Sequence, residues 1–313
     1  MAERPLLFEI YRLNIVDNDI LSFDFMGENI RSDAQIMSVL AAVTSPEFSA
    51  VASSGRNTYE WNARQYIVGR SDGAEVCSIT LGRSVIEQSS QTATSEGFEQ
   101  ATTTFLPPPA ETFHLLFFMR RHLVVVEYRS ELMKTHLWLA SLHDMLDDAS
   151  RVRGFTSRLR LEPIPKSEAI LRTFKSFTRL TQFRVKLRIP NPELDRRTER
   201  LRIEMVEDGI REYTQDMKNP AGLSLSEDGR PYATAAMAQA GYKHGEVTMV
   251  GIRNGKRSVV KTGSKAARGR VDGLRGTVRE LSGDLDEPST RNALKLIAEE
   301  VERVVELPAP PGE

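Results

Sequence analysis

The stretch Phe113–Arg129, FHLLFFMRRHLVVVEYR, constrains the fold of this 313-residue chain more than any other segment. It is the most apolar part of the sequence, and Arg120-Arg121 interrupts it in the middle. Each apolar run is far shorter than the roughly 20 residues that span a bilayer. The pattern predicts two buried strands joined by a tight basic turn. The N-terminus, with Glu3 and Glu9 among its apolar residues, does not read as a secretory signal. A single cysteine, Cys77, excludes an intramolecular disulfide and a multi-thiolate metal site. The expectation is a cytoplasmic protein that meets no membrane and has a reduced thiol.

Strands are predicted over Pro5–Asn14, over Tyr59–Gly69 and Ala74–Gly82 around an Asp72-Gly73 turn, and over Ser157–Ile164. Leu180–Ile189 alternates, with Phe183, Val185, Leu187 and Ile189 on one face and Arg184, Lys186 and Arg188 on the other. Val247–Ile252 and Arg257–Thr262 flank Asn254-Gly255, a strong hairpin signal. Helices are predicted behind Ser32 to Val43, over Glu131–Leu146, from Ser167 to about Phe177, over Glu193–Asp216, and from Ser289 or Thr290 to Val305. The Ser/Thr/Gln-rich stretch Ser84–Thr104 reads as a loop or mobile helix, and Lys261–Arg270 as flexible. The fold class expected is α+β, in two lobes that each hold a mostly antiparallel sheet with packed helices. Length favours two domains: an acidic one over 1–150 and a basic one over 151–313, the latter with a basic hairpin at 246–262 and a terminal helix at 289–306.

The whole-chain charge of −1 conceals a division. Residues 1–150 carry 11 Lys and Arg against 20 Asp and Glu, and the remainder 31 against 23. Arg151–Pro190 holds 11 basic and 2 acidic residues, and Arg253–Arg279 holds 9 and 1. Local density of this kind attracts polyanions.

Catalytic and metal motifs are weak. His136 and His143 stand two helical turns apart, about 10 Å, too far for one ion. His114 and His122 read as core histidines in the buried strand pair, and Cys77 as a small buried hydrophobe. Glu127-Tyr128-Arg129 echoes half of a metal-dependent nuclease signature, with Asp144 or Glu75 as conceivable partners, but lacks its lysine. Gly273–Gly276 lacks the residues of a phosphate loop. No catalytic residue, metal or cofactor is therefore assigned. The candidate nucleic-acid-binding residues are Arg253, Lys256, Arg257, Lys261, Lys265, Arg268 and Arg270 of the hairpin and the arm after it, with Arg184, Lys186 and Arg188 as a second stripe. A β-ribbon fits a major groove, and a basic arm can track phosphates. Aromatic residues are sparse in both basic segments, which favours duplex DNA over single strands.

FFMRRHLVVVEYR, the strand TQFRVKLRIPNPELD and the hairpin EVTMVGIRNGKRSVVKTGSK together resemble an uncharacterised bacterial family of domains of unknown function. More distantly, the layout is similar to the lambda exclusion protein RexA and related phage-defence proteins. That resemblance implies sequence-independent DNA binding by a homodimer. The function expected is a non-enzymatic DNA-binding protein of an antiphage-defence or abortive-infection system. The alternatives are an interaction or sensor subunit that docks on a protein partner of a defence operon, and an unrecognised metal-dependent nuclease.

Overall fold

The computed structural model describes residues 5–17, 27–71, 73–95, 97–134, 137–166, 169–188, 212–274, 285 and 287–305. Its elements follow in the order β1 (Leu6–Val16), α1 (Asp33–Ala42), β2 (Ser49–Ser54), β3 (Asn57–Ser71), β4 (Ala74–Thr94), β5 (Gly97–Thr104), β6 (Ala110–Phe118), β7 (Leu123–Glu127), α2 (Ser130–Met133), α3 (Leu137–Val152) and β8 (Arg158–Pro163). Then come α4 (Ala169–Lys175), β9 (Arg179–Arg188), β10 (Glu212–Lys218), α5 (Arg230–Gln239), β11 (Lys243–Arg253), β12 (Lys256–Thr262), β13 (Ala267–Val271) and α6 (Pro288–Val305). The fold is α+β, with two antiparallel sheets of nine and four strands.

The apolar segment forms β6 and β7 at the centre of the large sheet, joined by a 3-10 turn at Met119–Arg121. The sheet runs β13-β1-β7-β6-β4-β3-β2, with β5 added to β4 and β8 to β1. Because side chains alternate along each strand, Phe113, Leu115 and Phe117 enter one core with Trp138, Leu142 and Leu146 of α3. Leu116, Leu123 and Val125 face the opposite way, against Leu294, Ile297 and Val301 of α6. Ser32 caps α1 in a capping box completed by Gln35, so its side chain and that of Gln35 satisfy end groups reciprocally.

The small sheet runs β10-β9-β11-β12. Phe183, Val185, Leu187, Val247 and Met249 pack against Phe174 of α4 and Tyr232, Ala235 and Ala238 of α5. The hairpin turn is as predicted: Asn254 and Gly255 both adopt positive φ, 49° and 73°, the conformation that an Asn-Gly pair tolerates and a tight two-residue turn requires.

Four expectations are corrected. Residues 84–94 and 97–104 are not a loop or helix but the outer part of β4 and all of β5. Hydrophobic alternation is missing there because both faces meet solvent, while threonine still favours extended backbone. The expected helix Glu193–Asp216 ends wrongly, since Glu212–Lys218 forms β10, paired to β9 in the register Glu212↔Arg188 to Lys218↔Gln182. Its sequence EYTQDMK puts Tyr213, Gln215 and Met217 inward with period two. The rest of that helix, and Ile189 to Pro192, lie outside the described residues. The expected flexible segment Lys261–Arg270 includes β13, an edge strand of the large sheet, registered Leu6↔Val271 to Ile10↔Ala267. Finally, the sheets do not part at residue 150. β8 and β13 both pair with β1 within the large sheet, along successive parts of the edge opposite β7, and the small sheet is built from residues 179–262.

The sheets are riveted together. Arg12 donates to the Ala240 carbonyl at 3.1 Å and stacks on Tyr242, and Asn14 donates to the Gly241 carbonyl. The buried Glu162 of β8 accepts from Arg188 at 2.7 Å and lies 2.9 Å from His244.

Candidate nucleic-acid interface

Arg184, Lys186 and Arg188 of β9 and Arg257 and Lys261 of β12 lie on the face away from α4 and α5, whereas the opposed pair Arg253 and Lys256 at the hairpin tip alternates to the other face. Opposed residues of an antiparallel pair share a face, and the register sets Lys261, Thr248, Arg184 and Asp216 in one row across the four strands. A second row sets Val259 beside Val250, Gln182 and Lys218. The open face thus runs from a mixed-charge edge at β10, through the cations of β9 and the uncharged Thr248, Val250 and Ile252 of β11, to Arg257 and Lys261 on the edge strand β12.

The β9 stripe is neutralised within the chain. Arg184 donates twice to Asp216, with 2.6 Å the shorter distance, and Lys186 pairs with Glu212. Hydrogen bonds from Arg184 and Gln182 hold the Asp216 carboxyl down to about 2. Arg188 is buried against Glu162, with Glu212 3.6 Å away. Burial acts to lower the Arg188 guanidinium's affinity for its proton, and those two carboxylates oppose it. Arg188 is therefore corrected from surface contact to structural ion pair, because its side chain is only 8% exposed.

The arm residues are anchored too. Arg268 of β13 donates to Glu9 at 2.9 and 3.0 Å and lies 3.8 Å over the Tyr128 ring. Arg270 donates to Asp272, and its backbone N–H to Glu300. These two belong to the large sheet rather than to a mobile arm. By contrast, no ion pair among the described residues involves Arg253, Lys256, Arg257, Lys261 or Lys265. Lys256, Arg257, Lys261 and Lys265 are exposed and Arg253 half-buried. The sequence has no Asp or Glu between Glu246 and Asp272. The structure thus divides the ten expected residues into five that are paired and five that have no ion pair among the described residues.

The other candidates resolve as follows. His114 and His122 are buried as expected. His114 Nδ1 lies 3.2 Å from Thr80, and His122 Nε2 lies 2.8 Å from Asp33. His136 lies outside the described residues. His143 accepts the Leu161 N–H through Nε2 at 2.9 Å, and burial, with Arg160 and Arg188 near, holds its pKa down to about 3. Glu127 is buried, ion-paired to Arg129 and bonded by the His114 N–H. Among the described residues no three His, Cys, Asp or Glu side chains come together to hold a metal ion. Cys77 is fully buried, and burial pushes its thiol up to about 11. No helix of the described residues is long and apolar enough to cross a membrane.

Sequence reasoning missed Lys243, which is wholly buried and donates to the Gly245 carbonyl at 3.0 Å. It also missed the β4–β5 ribbon, whose only sequence signal is its threonine content. No curated protein matches the chain. A family described as a domain of unknown function, DUF4747, matches residues 85–271, from the outer part of β4 to the end of β13. That match spans more than half of the sequence, and the chain belongs to this family of domains of unknown function.

Proposed function

We propose that the protein binds the phosphate backbone of duplex nucleic acid, DNA foremost, through the β11–β12 edge of the small sheet, without sequence preference and without catalysis. The observation that carries this reading is the cluster Arg253, Lys256, Arg257, Lys261 and Lys265, exposed or half-exposed and without carboxylate partners among the described residues. Cations not committed to carboxylates are the ones able to exchange condensed counterions for phosphates. The edge presents no aromatic stacking platform and no arginine held rigidly for a base edge, so contacts would fall on phosphate and carry no sequence information. We extend the proposal to a defence or exclusion role in the cytoplasm, on the distant likeness in motif layout read from the sequence alone.

The test is fluorescence anisotropy of labelled duplexes of unrelated sequence across a salt series. With about four of the five cations on phosphates, log affinity should fall linearly with log salt at a slope of about −4, alike for every duplex. Absence of binding at about 50 mM salt, or a preference for one sequence, would overturn the reading.

A further inference from the structure

The β4–β5 ribbon is the least supported part of the fold. From Ser89 outward, β4 has only β5 as a strand partner among the described residues. Residues 91–95 and 97–100 are all exposed, and Phe98 is 77% exposed at the tip. A two-stranded ribbon with both faces in water is marginal by itself, and an open strand edge pairs readily with another chain. The outer edge of β5 has no strand partner among the described residues, and neither does the outer edge of β12. The two are similar in length, eight and seven residues. Each carries an exposed apolar side chain, Phe98 and Val259, the latter 64% exposed.

Their charges are opposite. No Lys or Arg occurs between Arg83 and Arg120, and the ribbon carries Glu87 and Glu99. β12 carries Lys256, Arg257 and Lys261 and no acid. Pairing β12 with a second β12 would bring those cations together, and like charges on adjacent strands are destabilising.

We propose that β5 of one copy adds to the free edge of β12 of a second copy, two such contacts closing a dimer. Main-chain hydrogen bonds would supply affinity and the charge pattern the choice of edge. The contact is isologous only as a whole, each ribbon meeting its partner's small sheet, so a two-fold axis closes it. It does not rest on the nucleic-acid reading, but it uses the same β12 edge, so the partner's ribbon and a duplex compete for Lys256, Arg257 and Lys261.

A charge exchange tests it. The wild-type chain should show twice the 35.2 kDa monomer mass by light scattering. The ribbon variant Glu87→Lys with Glu99→Lys, and the edge variant Lys256→Glu with Lys261→Glu, should each be monomeric alone and keep the wild-type circular dichroism. Mixed one to one, they should recover the dimer, because the basic ribbon of one then meets the acidic edge of the other. A wild-type monomer at every concentration, a dimer that persists in either variant alone, or a mixture that stays monomeric would overturn the proposal. The ribbon variant keeps every candidate phosphate contact, so duplex binding by that variant reports on the nucleic-acid reading separately.

Discussion

The two cationic strands of the small sheet look alike as sequence and differ as structure. β9 alternates Arg184, Lys186 and Arg188, and each meets a carboxylate: Asp216 and Glu212 on the neighbouring strand β10, and Glu162 on β8 of the large sheet. β12 carries Lys256, Arg257 and Lys261, whose strand neighbour among the described residues, β11, offers them Arg253, Ile252 and Thr248. Charge counted along the chain cannot distinguish these cases. Cross-strand register can, because it decides which carboxylate stands beside which cation. The β9 stripe acts within the fold, and the β12 cations have no ion pair among the described residues.

The largest effect expected from this difference is on stability. Removing one member of a buried ion pair leaves the other charge uncompensated, at a cost of about 3–5 kcal/mol. Arg188→Ala should therefore lower the urea midpoint strongly, whereas Arg257→Ala on β12 should stay within about 0.5 kcal/mol of the parent. Equal effects would erase the comparison.

A second expected effect concerns β13, which holds Arg268 and Arg270 on the large sheet. A Cβ on Gly269 would overlap the Phe8 ring of β1. Overpacking of this kind costs about 1–3 kcal/mol, so Gly269→Ala should lower the thermal midpoint. A truly loose arm would tolerate it without change.

The third is a pH dependence in the paired region. The folded pKa of His143 is held to about 3 against an ordinary 6.5. As pH falls through 6.5 the unfolded chain takes up a proton that the folded chain refuses until about 3. The stability His143 contributes is thus complete above 6.5 and lost progressively toward 3. His143→Gln should flatten the fall in thermal midpoint between about pH 6.5 and 4. An unchanged profile would show that His143 is not the group responsible.

Much of the scaffold was legible because burial writes a period into sequence. The apolar pair β6 and β7, the alternating β9, the Ser32 cap and the Asn254-Gly255 turn each carry a local signature. The ribbon did not, since residues 91–95 and 97–100 face water on both sides and have no core to mark one face. β13 was hidden because small residues, Ala267 and Gly269, are what its place beside β1 requires, and they resemble a flexible linker. The site was half legible for a related reason. On the expected helix, Asp216 and Glu212 would stand opposite neither Arg184 nor Arg188. Misplacing β10 therefore concealed the carboxylates that neutralise β9. Glu9 and Glu162, the partners of Arg268 and Arg188, are distant in sequence and brought near only by the large sheet.

The most direct test sets the two strands against each other in one assay. Duplex binding is followed by anisotropy from about 50 to 200 mM salt for the wild type, for Arg253→Ala/Lys256→Ala/Arg257→Ala, and for Arg184→Ala/Lys186→Ala. Each cation taken off a phosphate should reduce the slope by about 0.9. The hairpin variant should have a slope shallower by about two to three and bind every duplex more weakly, and the β9 variant should change its slope by less than about one. Equal changes, or a larger change in the β9 variant, would contradict the claim that the unpaired edge is the binding surface.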